Sequence, residues 1–216
     1  MQSGLRPAFF LMPDDEDGDH MNKRNFIAAA LCGASSMALA AGKDKQEQSC
    51  IIPEGPVLLT LTGAITRSNR GALDGELDQM MAKQKIQFDR AYTFDFGALA
   101  TLPQTIIEPT LEYDGKPHLL QGPLLIDVLA AAGALGARDI LLRAIDGYVV
   151  SVSFADVSRL RFIIATHMDG KPMPLGGLGP LWAVYDADRL PDKMELPLGA
   201  RYTLCPWGIF HIEARA

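Results

Sequence analysis

The chain has 216 residues, 48% of them hydrophobic and 21% charged, with a formal net charge of −6. That length leaves room for one domain with a real core after N-terminal processing. The acidic balance argues against nucleic acid or an anionic membrane as a partner, because both demand a basic surface.

Residues 1–20 set Asp14, Asp15, Glu16, Asp17 and Asp19 against a single arginine, Arg6. They read as an extension upstream of a true start at Met21; the alternative is an acidic leader, disordered by composition. Residues 21–40 hold the three parts of a secretory signal: Lys23 and Arg24, an uncharged run from Phe26 to Leu39, and the small-x-small site Ala38-Leu39-Ala40. The run is too short and too rich in Ala, Gly and Ser for a comfortable membrane span. Leu31 stands before Cys32, where a lipid-anchored signal needs a small residue. The expectation is a periplasmic or secreted protein that begins near Ala41, with no membrane span after processing. Residues 1–20 carry −4 and residues 21–40 carry +2, so the total of −6 leaves −4 on the mature part.

Residues 41–56 read as a polar, flexible lead-in, and 57–216 as one domain. Val57 to Ile65 alternates leucine with threonine and predicts a strand. Asp74 is placed to cap a helix over 75–85 whose apolar face is Leu77, Met80 and Met81. Phe94 to Leu102 predicts a strand end and a short helix stopped by Pro103, and Thr105 to Tyr113 an extended stretch. Gly122-Pro123 is expected to open a helix with Leu124, Leu125, Val128, Leu129 and Ala132 as its core stripe, ended at Gly133 or Gly136. Ile140–Ile145 and Tyr148–Phe154 flank Asp146-Gly147, a strong hairpin signal. Arg161 to Thr166 predicts a strand, Asp169-Gly170 a turn, and Gly176 to Pro180 a loop. Leu181 to Tyr185, Tyr202 to Leu204 and Gly208 to Ala214 complete the strands. Strands outnumber helices and hairpins recur, so the expected class is α+β, β-rich, with a mainly antiparallel sheet or barrel.

The order VLLTLTGAI, FDFGALATLPQ, LQGPLLIDVLAAAGA, DGYVVSVSFADV, IIATHMDGKPMPL, GPLWAVYD and a closing strand ending IEA resembles the molybdopterin-binding domain of the sulfite-oxidase family. Its short exported bacterial members are the most similar, and the resemblance runs from about Val57 to Ala214. It implies that family's mixed β-rich fold, which in its enzymes cradles a molybdenum pterin. The enzymes supply a cysteine thiolate to the metal in the stretch that here reads TIIEPTLEYDGKPHLLQG. That stretch contains no cysteine; Glu112 and Tyr113 stand about where the ligand would fall, and neither matches a thiolate's softness. The family's closing segment also carries lysines for the cofactor phosphate, whereas RYTLCPWGIFHIEA offers only Arg201. Cys205 is the sulfur that could substitute if the closing segment lay beside the pocket.

His118, His167, Arg161, Lys171 and Trp182 are the remaining pocket candidates. Lys171 joins Arg159 and Arg161 as a basic spot, and the others have plainer readings: an exposed loop histidine, a half-buried strand-end histidine, a solvated strand edge shared by Arg159 and Arg161, and a core anchor. Trp207 is likewise a core anchor or a pocket wall. His211 alternates with Phe210 and Ile212 and is expected in solvent. Three histidines so scattered have no metal-ligand spacing. The GGLGP loop reads as a structural turn before an anion nest. An oxidising compartment permits a disulfide between Cys50 and Cys205, or leaves two free thiols. Two functions follow: a non-catalytic module for a small ligand or a periplasmic protein partner, with no cofactor expected; and, as the alternative, a periplasmic molybdopterin-dependent oxidoreductase.

Overall fold

Alternation along the first strand places Leu59 and Leu61 in the main core and turns Thr60 and Thr62 to the opposite face. The computed structural model describes residues 50–216, so the expected leader, the signal and the lead-in up to residue 49 lie outside the described residues. In chain order the strands are β1 (Leu59–Gly63), β2 (Tyr92–Phe94), β3 (Gln104–Ile107), β4 (Leu120–Pro123), β5 (Asp139–Ala144), β6 (Val149–Ser153), β7 (Ile163–Ala165), β8 (His167–Met168), β9 (Lys171–Pro172), β10 (Trp182–Val184) and β11 (Ile209–Arg215). Five short helices join them: α1 (Gln79–Lys83), α2 (Phe96–Ala100), α3 (Leu125–Ala131), α4 (Phe154–Leu160) and α5 (Pro191–Met194).

The strands form a five-stranded sheet in the order β2-β1-β11-β5-β6, a four-stranded sheet β3-β4-β8-β9 and the pair β10-β7. Every pairing is antiparallel except β1 with β11, which sets Thr60 beside His211 and Thr62 beside Glu213. The described residues are thus one α+β, strand-rich domain. Its core gathers Leu59, Leu61, Phe94, Leu125, Leu129, Leu142, Ile163, Trp182 and Ile212. No helix among the described residues is long and apolar enough to cross a membrane.

Several local expectations hold for their stated reasons. Asp146-Gly147 joins β5 to β6, with Gly147 at φ +92. Asp169 and Gly170 both take positive φ between β8 and β9, the geometry of a tight hairpin turn. The stripe Leu125, Val128 and Leu129 is buried along α3, and Gly133 follows it at φ +69. Asp95 caps α2 by accepting from Ala98 N at 2.6 Å, and it also accepts from Glu54 N and Gly55 N. These bonds, Ala98 N first, hold its carboxyl below the usual range and tie the end of the lead-in to the domain.

Other expectations are corrected. Gly122 and Pro123 lie in β4, not in a helix; a Cβ on Gly122 would stand 1.9 Å from the Ile164 carbonyl oxygen, so the glycine serves the close approach of β4 to β7. Phe154 begins α4, because Ser153 caps a helix there by accepting from Asp156 N. Arg159 and Arg161 are therefore not alternating strand residues. Arg159 sits on α4, paired with Asp156 and Asp192, and Arg161 ends that helix in the left-handed conformation. Asp74 accepts from Glu76 N and Leu77 N, but α1 begins only at Gln79 and Leu77 remains exposed. Residues 202–204 form turns, not a strand.

His211 is 1% exposed, against the expectation of solvent. The register between β11 and β5 slips between Ile209 and His211, leaving Phe210 as an extra residue. Phe210 and His211 then share a face, while Ile209 and Ile212 enter the main core. Met81, Ile86, Leu73 and Phe88 pack with Phe210 on that face. Beneath this cover His211 Nε2 lies 2.9 Å from Thr62 Oγ1, while His211 Nδ1, Thr60 Oγ1, Gln84 Oε1 and Arg143 Nε have no partner among the described residues.

Candidate functional site

Three segments distant in sequence close around a cavity of about 260 Å³: residues 112–113, the β5–β6 turn with Tyr148, and residues 199–207. The first is a folded loop. Leu111 N donates to Lys116 O at 2.9 Å and Gly115 N to Leu111 O at 3.0 Å, which turns Glu112 and Tyr113 outward from a buried Leu111. Asp188 anchors the loop by accepting from Thr110 N at 2.7 Å and from Arg201 Nη1 at 3.1 Å. The Tyr202 hydroxyl donates to Thr110 O at 2.7 Å, tying the third segment to the first.

In the second segment Asp146 Oδ1 accepts from Tyr148 N at 2.8 Å, and the Tyr148 hydroxyl donates to Thr203 O at 2.6 Å. The third segment is fixed from behind. Trp182 Nε1 donates to Cys205 O at 2.9 Å and Ala183 N to Pro206 O at 3.2 Å, while Ile145 N donates to Gly208 O at 2.9 Å. Gly199 leaves space for Glu112: a Cβ there would lie 3.3 Å from Glu112 Oε2. Each wall is therefore held to a neighbouring segment by hydrogen bonds in which a backbone group takes part, which favours a preformed site.

The lining carries two carboxylates, Glu112 and Asp146, and no lysine, arginine or histidine. Among the described residues neither carboxylate is in an ion pair. Partial burial, and then the nearby Glu112 charge, push the Tyr113 hydroxyl up to about 12, so it stays a neutral phenol at ordinary pH. Cys205 also borders the cavity, but burial pushes its thiol well up and its sulfur lies against Tyr185. A thiol held protonated is a poor nucleophile. Two further hollows of about 250 Å³ lack this convergence of rings and carboxylates, and their arginines are engaged, Arg67 with the Ala130 carbonyl and Arg70 with Asp78.

Of His118, His167, Arg161, Lys171 and Trp182, none lines this cavity. His118 is held between Asp169 (Nδ1 to Oδ2, 2.7 Å) and Asp114 (Nε2 to Oδ2, 3.0 Å), which raise its pKa, Asp169 foremost. His167 is half-buried, 2.9 Å from Thr166 Oγ1 through Nδ1 and edge-on to Phe96. Arg161 and Lys171 are exposed, and Trp182 is fully buried in the core. Glu112 and Tyr113, singled out as the stretch without the family's cysteine, do reach the cavity, and Trp207 is a wall rather than a core anchor. Tyr148, Asp146 and Thr203 were missed, because a hairpin residue such as Tyr148 gives no local sign that a distant segment packs across it. The permitted Cys50–Cys205 bridge is not formed: both thiols are free. Cys50 is exposed with its sulfur 3.6 Å from Ser68 O, and Cys205 is buried against Tyr185. No group of three or more His, Cys, Asp or Glu among the described residues is arranged to hold a metal.

Comparison with models of known protein families gives no match, and none of the curated proteins matches the chain in sequence.

Proposed function

We propose that this is an exported, non-catalytic binding module with the fold of the sulfite-oxidase molybdopterin domain and without its redox centre. The observation that carries the reading is the cavity at Glu112 and Tyr113. The segment in which the resemblance expects a metal thiolate borders a preformed hollow whose lining has two carboxylates and no cation. This donor set does not fit a molybdenum pterin. A dianionic phosphate needs positive charge and donors, and Arg201, the nearest cation in the closing segment, is turned to Asp188, Leu196 O and Met194 O. Burial pushes the Cys205 thiol up, which makes its thiolate costly to form. Fold alone never establishes function, so the reading rests on the site.

One observation favours the alternative, a periplasmic molybdopterin-dependent oxidoreductase: Cys205 does border the same cavity as Glu112. Elemental analysis of protein purified from a host that makes the cofactor separates the two. The expected molybdenum-to-protein ratio is far below one. A ratio near one, abolished by Cys205→Ser, would restore the enzyme.

A further inference from the structure

We infer that the cavity takes a small organic cation, an alkylated ammonium group held against aromatic rings and countered by Glu112 and Asp146. The inference rests on the binding-module reading above and adds the chemistry of its ligand. Scattered exposed apolar residues are ordinary on a soluble protein. Here three of the largest exposed side chains meet at one hollow: Tyr113, Tyr148 and Trp207 are 55%, 47% and 39% exposed and all line it. Aromatic faces carry negative quadrupole charge, and a cage of such rings is the common device for quaternary ammonium groups.

The electrostatics select the same sign. Glu112 stands on one wall and Asp146 on another, and no basic side chain lines the cavity. An anion entering there would be repelled by both carboxylates, and a neutral ligand would gain hydrogen bonds from them but no charge attraction. The hydroxyl of Tyr148 is committed to Thr203 O, so that side chain offers a ligand chiefly its ring. A volume of about 260 Å³ lies just below the usual range for drug-sized ligands, which points to a compact guest. A methylated ammonium also carries few or no N–H groups, so it asks for little beyond rings and a diffuse counter-charge.

The test is calorimetric titration of the mature protein with choline and with 3,3-dimethylbutan-1-ol, which has the same shape with carbon in place of the charged nitrogen. Choline is expected to bind at least about tenfold more tightly than the alcohol. Glu112→Gln, which keeps the shape and removes the charge, is expected to weaken choline about tenfold and leave the alcohol unchanged. Asp146→Asn makes the same test from the opposite wall should Glu112→Gln fail to fold, and acetate serves as the anionic control. Equal binding of choline and the alcohol, preference for acetate, or no choline binding at millimolar concentration overturns the cation. Stoichiometric molybdenum would instead overturn the binding-module reading itself.

Discussion

On the covered face of the five-stranded sheet, His211 lies 1% exposed beside Thr62, Thr60 and Arg143. In the loop that begins at the cavity wall, His118 lies between two aspartates at the rim of the domain. The two imidazoles are chemically identical and shift in opposite directions. Burial, reinforced by the Arg143 charge and opposed by Glu213, pushes His211 down to about 4; Asp169 and Asp114 raise His118. For these two histidines burial favours the neutral ring, and the flanking aspartates favour the charged one. Glu112 and Asp146 line an open hollow rather than a covered face, within reach of a ligand from solvent.

The largest effect expected from this contrast is acid sensitivity through His211. Its folded pKa, about 4, lies below the ordinary 6.5, so the unfolded chain takes up the proton first. The stability it contributes is complete above about pH 6.5 and is lost as pH falls toward 4. A shift of this size corresponds to about 3 kcal/mol. Denaturant unfolding at pH 7 and pH 4 should therefore show a loss about 3 kcal/mol greater for the wild type than for His211→Gln, the comparison cancelling the carboxylates common to both. Identical pH profiles would mean that water reaches His211 and that the contrast is false.

The smaller effect has the opposite sign. The folded pKa of His118 is raised, so its contribution is present below about pH 6.5 and is lost as pH rises through the raised value. Both aspartates are largely solvated, with side chains 41% and 53% exposed, so solvent screens the clamp and keeps its effect small. His118→Gln should flatten that shallow alkaline decline and leave the acid limb assigned to His211 unchanged. A steep acid limb that disappears in His118→Gln would reverse the assignment.

Much of the frame was legible because local rules act there without competition. Leucine–threonine alternation predicts β1, Asp146-Gly147 predicts a hairpin, Asp169-Gly170 predicts a turn, and the α3 stripe predicts a buried face. The failures share a different cause. Pro123 suits a helix start, but Gly122 is needed where β4 meets the Ile164 carbonyl, and that contact is 42 positions away in sequence. The bulge at Phe210 reverses the face of His211, and nothing in Phe-His-Ile announces it. The cavity was half legible. Glu112 and Tyr113 stood out as the place where a thiolate is missing, but Tyr148 and Trp207 join them only through bonds such as Tyr148 to Thr203 and Trp182 to Cys205.

The central claim is that this cavity serves a small ligand and no longer a pterin, and the pterin itself is the sharpest probe. It should be assayed on protein taken from the periplasm of a cofactor-competent host, by denaturing the protein and measuring the fluorescence of any oxidised pterin it releases. This detects the cofactor whether or not a metal is attached to it. The account predicts far less than one pterin per chain, unchanged by Cys205→Ser. About one pterin per chain would contradict it, because the phosphate would then be held at a site whose lining offers two carboxylates and no cation.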